Sequence, residues 1–305
     1  MRLPIAKPGR FGILGRLSVA CPMPPFAGPF APMLELAAHA ARQAVQVIRR
    51  AAASPDALEV RAKRPNDFVT QIDLASERMI VDTLLGACPT HAVRSEESGE
   101  PHGAPGADHE WIVDPIDGTN NFIHGYPNVA VSIALAVRGR TEVGVVLDVT
   151  RDELFCALRG QGAWLGARRL AVSQRATLAE AMVANTVPVR PGLPFERHMA
   201  MIATVIGQVS ALRRSGSAAI DLAWVAAGRC DAMFDRGLNA WDVAAGALLI
   251  EEAGGRVSTF TGGAGFVEAR ECLAANPALH AELARILQPF AQGPAQAGAP
   301  SSSCH

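Results

Sequence analysis

The fold is decided by the stretch WIVDPIDGT at residues 111–119. Its first three residues are apolar and predict a short buried strand that brings Asp114 to its carboxyl end. Gly118 permits a tight turn, and Thr119 can cap a helix that follows. The stretch therefore predicts two carboxylates, Asp114 and Asp117, on one bend with backbone N–H groups beside them.

Two carboxylates on one bend need a compensating charge. Unpaired carboxylates about 4 Å apart repel each other by roughly 4 kcal/mol at an effective dielectric constant near 20. A divalent cation turns this repulsion into attraction, and Mg²⁺ favours oxygen ligands while it keeps positions for water and phosphate. The alternative interpretation is structural: Asp114-Pro115 would end a strand, and Asp117-Gly118 would form an ordinary type I turn.

Four other segments place acidic or small polar residues where a regular element begins or ends. They are Asp73 at the head of a predicted helix, the Glu96-Glu97 doublet in a loop, residues 215–218 before a helix, and Asp242 before an apolar helix. Each of them alone is typical of a helix cap or a solvated loop. Together with residues 111–119 they predict a metal–phosphate site, because such sites are assembled from the ends of elements.

The spacing of apolar residues predicts the elements around these segments. The first half is predicted to contain helices from Met33 to before Pro55 and at about 74–85, and an antiparallel meander of strands at 129–137, 141–149 and 154–158. The second half is predicted to contain strands at 182–187, 209–212, 232–234 and 256–259, and helices at 195–206, 218–227, 242–253 and 276–287. We therefore expect an α+β half at 33–175 and an α/β half at 176–290.

The bulk composition argues against several classes of function. The 305 residues include 28 basic and 29 acidic side chains, for a formal net charge of −1. Because nucleic acids and acidic membranes are bound by cationic surfaces, this balance supports neither as a general partner. The six cysteines form no Cys-x-x-Cys pair, which argues against structural zinc and favours reduced thiols in the cytoplasm. No apolar run reaches the roughly 18 residues that span a bilayer.

Both ends of the chain are predicted to be disordered extensions. Residues 1–32 carry three basic residues near their start, Arg2, Lys7 and Arg10, as a signal peptide does. However, Arg16 interrupts the apolar stretch, and no convincing cleavage site follows. This segment is rich in Pro and Gly, and residues 291–305 are rich in Gly, Ala, Pro and Ser, compositions that are typical of disorder.

Seven motifs follow one another along the chain. They are NDFVT at 66–70 with Asp73, EESG at 96–99, WIVDPIDGTNNF at 111–122, RRSGSAA at 213–219, DLA at 221–223, WDVAAG at 241–246 and EAGG at 252–255. In this combination the chain resembles the inositol monophosphatase family, in particular its bacterial branch, within the lithium-sensitive, Mg²⁺-dependent phosphatase superfamily. The likeness extends from Met33 to about Leu287. It implies a layered αβαβα sandwich of the inositol monophosphatase and fructose-1,6-bisphosphatase type.

The resemblance implies metal ligands and catalytic groups. Two Mg²⁺ positions would be held by Glu96, Asp114, Asp117, Asp242 and the backbone carbonyl of Ile116, and Asp73 would contribute to a third, weaker one. Glu96 and the Thr119–Asp73 pair would help to activate the water that attacks the phosphate.

The resemblance also implies a substrate site. Its residues would be Asp117, Gly118, Thr119, Asn120, Arg213, Gly216, Ser217, Ala218, Asp235 and Asp242, and the backbone around 118–120 would cradle the phosphate. The sequence departs from the family pattern at Asp235, where inositol phosphatases generally have a Glu that bonds ring hydroxyls. Because the Asp side chain is one methylene shorter than Glu, the resemblance does not decide whether Asp235 contacts a polyol.

The predicted function is Mg²⁺-dependent hydrolysis of a small-molecule phosphate monoester, with inositol 1-phosphate as the favoured substrate. Alternatives within the superfamily are histidinol phosphate, 3′-phosphoadenosine 5′-phosphate and sugar phosphates such as fructose 1,6-bisphosphate. A binding role is a different class of function, since some bacterial relatives resemble factors that contact RNA polymerase or other transcription factors. The resemblance further implies a homodimer, and we expect a cytoplasmic protein without a membrane segment.

Overall fold

The computed structural model describes residues 23–53, 60–64, 67–186 and 195–291, and for 60–64 and 67–69 it describes only the backbone. The disorder predicted for residues 1–22 and 292–305 lies outside the described residues. The helices are α1 (Ala31–Ala52), α2 (Gln71–Ala87), α3 (Thr119–His124), α4 (Phe195–Ile206), α5 (Ala218–Ala226), α6 (Ala240–Glu252), α7 (Phe266–Ala269) and α8 (Pro277–Leu287).

The strands form three sheets within the described residues. They are β1 (Val60–Arg64), β2 (Asp67–Thr70), β3 (Ala92–Ser95), β4 (His102–Gly103), β5 (His109–Asp117), β6 (Ala130–Val137), β7 (Arg140–Asp148), β8 (Glu153–Leu158), β9 (Ala163–Leu165), β10 (Arg168–Arg169), β11 (Met182–Ala184), β12 (Ala211–Arg213), β13 (Ala232–Arg236), β14 (Arg256–Ser258) and β15 (Glu271–Ala275). The smallest sheet is the β1–β2 hairpin.

The larger sheet has eight strands in the order β10-β9-β8-β7-β6-β5-β3-β4. β6, β7 and β8 pair antiparallel in chain order, which confirms the predicted meander. β3 lies parallel to β5 on its other side, and Ser95 pairs with Val113. Because the two strands run parallel and Ser95 pairs with Val113, Glu96 and Asp114, the next residues along the two chains, lie side by side.

Helices α1 and α2 cover one face of the larger sheet. α1 begins at Ala31, two residues before the predicted start, with Pro32 in its first turn, where a missing N–H is not needed. Leu34, Val45 and Ile48 recur at helical spacing and are buried. None of the described helices is long and apolar enough to cross a bilayer.

The segment before α1 is packed against the same core. Phe26 and Phe30 contact its apolar cluster. Ala27 and Gln161 exchange two hydrogen bonds, from the Ala27 N–H at 3.0 Å and to the Ala27 carbonyl at 2.7 Å. The structure therefore differs from the expected disorder of residues 1–32 over its described part, because apolar side chains of this segment find a place on the core.

The smaller main sheet has five strands in the order β12-β11-β13-β15-β14. β11 is parallel to both β12 and β13, whereas β15 is antiparallel to β13 and β14. No strand was predicted at Glu271–Ala275, so the half that was predicted as a regular α/β alternation contains a mixed sheet.

Helices α5 and α6 lie between the two main sheets, and α4 and α8 cover the outer face of the five-stranded sheet. The alternation of side chains along β13 separates these layers: Met233 faces the inner core, and Ala232 and Phe234 face the outer one. The resulting order of helices, sheet, helices, sheet and helices confirms the predicted αβαβα sandwich.

Close packing of α5 on α6 predicts a strong position dependence for glycine-to-alanine changes. A Cβ added at Gly246 would lie 2.5 Å from Leu222 Cβ, whereas a Cβ added at Gly86 in α2 would meet nothing within 4 Å. We expect Gly246→Ala to lower the free energy of unfolding by about 1–3 kcal/mol through overpacking. Gly86→Ala, the matched control, should raise it by up to about 1 kcal/mol. Urea denaturation in metal-free buffer measures both, and equal stabilities would contradict this account.

Candidate metal centre

The acidic bend at residues 114–118 is a bulge within β5 rather than the end of the strand. β5 pairs with β6 at Asp114 and again at Asp117, with a register shift between them. Gly118 follows with φ at 96°, a left-handed conformation that suits glycine. The predicted strand was therefore too short, because its pairing with β6 resumes after the bulge.

Three carboxylates meet at this bulge. Oxygens of Asp114, Asp117 and Asp242 all lie within 4.8 Å of one another, and the three side chains are buried. Asp114 Oδ1 also accepts the N–H of Ile116 at 3.0 Å, which fixes its orientation. Two of the acids come from β5 and the third from α6, so the group joins the larger sheet to the middle layer.

Asp117 is also tied to the start of α5. Its Oδ2 accepts the hydroxyl of Ser217 and the N–H of Ala219, each at 2.6 Å. Unpaired N–H groups at a helix N-terminus favour a negative charge. Ser217, which was predicted to contact substrate, holds one of the three clustered carboxylates in this structure.

Asp242 belongs to the acidic group and also to the cap of α6. It is the third residue of α6, and its Oδ2 accepts the N–H of the cap residue Asn239 at 2.6 Å. This is one half of a capping box. A carboxylate has two oxygens with several lone pairs, so capping and metal binding do not exclude each other.

Repulsion among the three carboxylates favours the binding of a cation between them. Burial raises the pKa of Asp114 well above its ordinary value, and the negative charges of Glu96 and Asp117 raise it further. Burial and the charge of Asp242 raise the pKa of Asp117 to about 7. Three buried carboxylates that repel one another make a set of hard oxygen donors, which fits a hard divalent ion such as Mg²⁺.

Glu96 stands beside this group. The N–H of Glu96 donates to the Val113 carbonyl at 3.2 Å, which continues the β3–β5 ladder. The charge of Glu96 is the largest cause, after burial, of the raised pKa of Asp114. The structure thus brings Glu96 to the edge of the acidic group, although the set of mutually close oxygens contains only Asp114, Asp117 and Asp242 among the described residues.

The predicted Thr119–Asp73 pair is present. The Thr119 hydroxyl lies 2.9 Å from Asp73 Oδ1 and 3.1 Å from the Ile116 carbonyl oxygen. Asp73 Oδ2 accepts the N–H and the hydroxyl of Thr70, which closes a capping box at the start of α2. Burial raises the pKa of Asp73. Asp73 therefore both begins α2 and holds Thr119 against the acidic bulge.

The sequence of this chain is similar to those of known proteins. A sequence profile of the inositol monophosphatase family matches residues 30–291. The chain belongs to the inositol monophosphatase family.

Individual relatives agree with this assignment. A protein of Pseudomonas aeruginosa named Nus factor SuhB is 46% identical over 261 residues, which are 85% of this chain and 96% of that protein. The crystal structure of the extragenic suppressor protein suhB from Bartonella henselae matches with a TM-score of 0.81 at 38% identity, over 85% of this chain and 99% of that one. An inositol monophosphatase from Anabaena matches with a TM-score of 0.74 at 32% identity, over 85% and 96%.

Two glycines allow the segments at residues 118 and 216 to pack closely beside the acidic group. A Cβ at Gly118 would lie 2.8 Å from the Asn128 carbonyl oxygen, and a Cβ at Gly216 would lie 2.9 Å from the amide of Asn121. The Asn121 side chain bridges the two segments by donating to Asn128 O at 2.8 Å and Ser215 O at 2.9 Å. Asn121 was not predicted to have a role, because only the fold brings residues 121 and 215 together.

The predicted specificity residues are placed differently from one another. Asp235 is fully buried. One of its oxygens accepts the N–H and hydroxyl of Thr186, and the other accepts the N–H of Arg236 at 2.6 Å. Burial raises the pKa of Asp235 to about 7. Arg213 is exposed, and its guanidinium donates to the adjacent Leu212 carbonyl. Contact of either residue with substrate stays a prediction.

A further buried acid lies near these residues. Asp221 in α5 is 2% exposed. Burial raises its pKa to about 8, and the charges of Asp117 and Asp235 also raise it, while a hydrogen bond from Ser215 lowers it. From the sequence Asp221 was recognisable only as part of a motif, since its distance from the other acids depends on the packing of α5.

Proposed function

We propose that this chain is a Mg²⁺-dependent phosphatase for a small-molecule phosphate monoester, with inositol 1-phosphate as the first candidate. The observation that carries the proposal is the group of three buried carboxylates, Asp114, Asp117 and Asp242, whose oxygens lie within 4.8 Å of one another. Membership of the inositol monophosphatase family supports the same chemistry.

The residues that would hold the ions are those of the acidic bulge and its neighbours. Asp114, Asp117, Asp242, Glu96 and the Ile116 carbonyl would hold two Mg²⁺, and Asp73 would contribute to a weaker third. When bound, the ions would polarise the phosphate oxygens and compensate the negative charge that develops on the leaving group.

The other groups would orient the attacking water. Thr119 Oγ1 donates a hydrogen bond to Asp73 Oδ1 at 2.9 Å, so a lone pair of the same oxygen can accept a hydrogen bond from a water beside the phosphorus. Glu96, at the edge of the acidic group, would accept a proton from that water as its oxygen bonds to phosphorus. The P–O bond to the alcohol then breaks in line and the alcohol leaves with a proton from solvent, while the backbone around Gly118, Thr119 and Asn120 would hold the phosphate oxygens.

The alcohol that is released would be selected by Gly216, Ser217, Ala218, Arg213 and Asp235. Both oxygens of Asp235 already accept protein hydrogen bonds, so the carboxylate is less available to ring hydroxyls than a longer Glu. This observation keeps histidinol phosphate, 3′-phosphoadenosine 5′-phosphate and sugar phosphates as alternatives to inositol 1-phosphate.

A substrate panel tests the proposal. Release of inorganic phosphate is measured for inositol 1-phosphate, glycerol 2-phosphate, histidinol phosphate, 3′-phosphoadenosine 5′-phosphate and fructose 1,6-bisphosphate, with Mg²⁺ and then with added Li⁺. We expect Mg²⁺-dependent release that Li⁺ inhibits, with the highest kcat/KM for inositol 1-phosphate. A different best ester would reassign the substrate. If folded, Mg²⁺-binding protein released phosphate from none of these esters, the proposed phosphatase activity would be refuted.

A transcription-associated role is the second candidate. It is favoured by the Pseudomonas aeruginosa relative, which is 46% identical and is named a Nus factor. Such a role would be a protein contact independent of hydrolysis, and it would be compatible with the homodimer that the resemblance implies. Affinity purification of tagged wild type and Asp114→Asn from cells should then recover RNA polymerase or transcription factors equally. Recovery with neither protein would remove this candidate.

A cytoplasmic location is part of the proposal. It is supported by the cysteines, since Cys88, Cys156, Cys230 and Cys272 are buried free thiols among the described residues. Free thiols are typical of proteins in reducing compartments.

A further inference from the structure

Glu77 lies behind the loop that carries Glu96, and none of the roles above includes it. It belongs to α2, one helical turn after Asp73, and its side chain is only 8% exposed. The same helix therefore places two acids, Asp73 and Glu77, near the carboxylate group of Asp114, Asp117 and Asp242. Asp73 holds Thr119, and Glu77 faces the residues that follow Glu96.

Both carboxylate oxygens of Glu77 accept hydrogen bonds from this loop. Oε2 accepts the N–H of Glu97 at 3.0 Å, and Oε1 accepts the hydroxyl of Ser98. Ser98 Oγ also lies 2.5 Å from Nε2 of His102, the first residue of β4. Glu77 thus fixes the two residues directly after Glu96, and through Ser98 it connects them to the next strand.

The backbone of Glu96 is held on its other side by the sheet. Its N–H donates to the Val113 carbonyl at 3.2 Å, which is the last rung between β3 and β5. Glu96 therefore lies between two anchors, the strand before it and the Glu77 carboxylate after it. Removal of Glu77 would take away the anchor that follows Glu96.

We propose that Glu77 is a positioning residue that sets the Glu96 carboxylate beside Asp114 for cation binding. This inference rests on the proposed metal-dependent function. A carboxylate suits the position because an N–H can only donate, and two acceptor oxygens are needed to hold Glu97 and Ser98 together. Residues that orient metal ligands in this way typically change metal affinity by about 10- to 100-fold when they are replaced.

The test is Mg²⁺ binding by Glu77→Ala, measured by titration calorimetry with the metal alone. Glu142→Ala is the matched control, because Glu142 in β7 is also a buried carboxylate and its partner is Arg140 at 2.6 Å. We expect the Kd for Mg²⁺ to rise by about 10- to 100-fold in Glu77→Ala and to stay near the wild-type value in Glu142→Ala. Wild-type affinity in a folded Glu77→Ala protein would overturn the proposal.

Two milder variants keep the test decisive if Glu77→Ala does not fold. Glu77→Gln keeps the size and one acceptor oxygen, so its affinity should lie between those of wild type and Glu77→Ala. Ser98→Ala removes one of the two contacts and should weaken Mg²⁺ binding in the same direction. Wild-type Mg²⁺ affinity in both folded variants would reject a positioning role.

The calorimetric measurement also separates this inference from the proposed function. If wild type hydrolyses no ester but Glu77→Ala still binds Mg²⁺ more weakly, the phosphatase fails and the positioning role stands. If the protein is an active phosphatase, Glu77→Ala should need about tenfold more Mg²⁺ for half-maximal rate and recover most of kcat at saturation. A fall in kcat with an unchanged Mg²⁺ requirement would count against positioning.

Discussion

Replacement of Asp114 by Asn should abolish phosphate release and at the same time stabilise the metal-free protein. Asp114 is buried beside Asp117 and Asp242. Burial raises its pKa well above the ordinary value, and the charges of Glu96 and Asp117 raise it further. Loss of a ligand from the centre of such a site should lower kcat/KM by on the order of 10³-fold or more. The experiment measures phosphate release with the best ester of the panel at saturating Mg²⁺.

The stability effect of Asp114→Asn has the opposite sign because the acids repel one another when no cation is bound. An amide of the same shape removes one charge from the group, and each pKa unit of repulsion relieved is equivalent to about 1.4 kcal/mol. We therefore expect a higher Tm than wild type in EDTA and a smaller rise in Tm on addition of Mg²⁺. A lower Tm in EDTA would contradict the repulsion argument.

Asp231→Asn is the control for this experiment. Asp231 is also buried, but it accepts hydrogen bonds from Arg175 at 2.9 Å and from the Met182 N–H at 2.7 Å. Neutralising it breaks an ion pair instead of relieving repulsion. This variant should lose stability in EDTA and keep the full stabilisation by Mg²⁺.

The metal-free protein should lose stability as pH rises from about 4 to about 8. The folded-state pKa is raised from 3.8 to about 7 for Asp117 and Asp235 and to about 8 for Asp221. Below pH 3.8 these acids are protonated in both states, so their contribution to stability is fully present. As pH rises through the folded-state pKa values, the unfolded chain has already released its protons, and that contribution is lost. For one buried acid the change is on the order of 4 kcal/mol.

With Mg²⁺ bound, the contribution of Asp117 to stability should increase with pH instead of falling. The contributions of Asp221 and Asp235, which are not assigned as metal ligands, should still fall as pH rises. Thermal unfolding by circular dichroism between pH 5 and 9, with EDTA and with Mg²⁺, measures both curves. The stabilisation by Mg²⁺ should grow with pH, and Asp221→Asn should flatten the pH dependence equally in both conditions. A Mg²⁺ effect that is independent of pH would contradict the assignment of Asp117 as a ligand.

The sequence predicted those parts of the fold that depend on local pattern. The meander of β6, β7 and β8 was predicted because long apolar runs are separated by short turns. Its neighbour β5 was predicted too short, since the strand resumes at Asp117 only through pairing with β6. The strand Glu271–Ala275 was missed because five residues of mixed character become a strand only between two partners, β13 and β14.

The site divides in the same way. Asp114, Asp117 and Asp242 could be selected from the sequence because each was predicted to lie at an element boundary, although the structure places Asp114 within β5. The hydrogen bonds from Thr186 to Asp235 could not be predicted, since they require the parallel pairing of β11 with β13. Glu77 gave no signal for the same physical reason. It is one more charged residue on a helix until the fold places the 97–98 backbone against it.

The attachment of Asp117 to α5 has a consequence for how the protein could be regulated. Because one carboxylate faces the other acids and also accepts the Ala219 N–H, ion binding at this group would be reciprocally coupled to the docking of α5. Any event that pulls α5 from its place must weaken ion binding by the same factor by which the ion opposes that event. Deuterium uptake at the Ala219 amide would then act as a local gauge of ion occupancy, readable without any substrate.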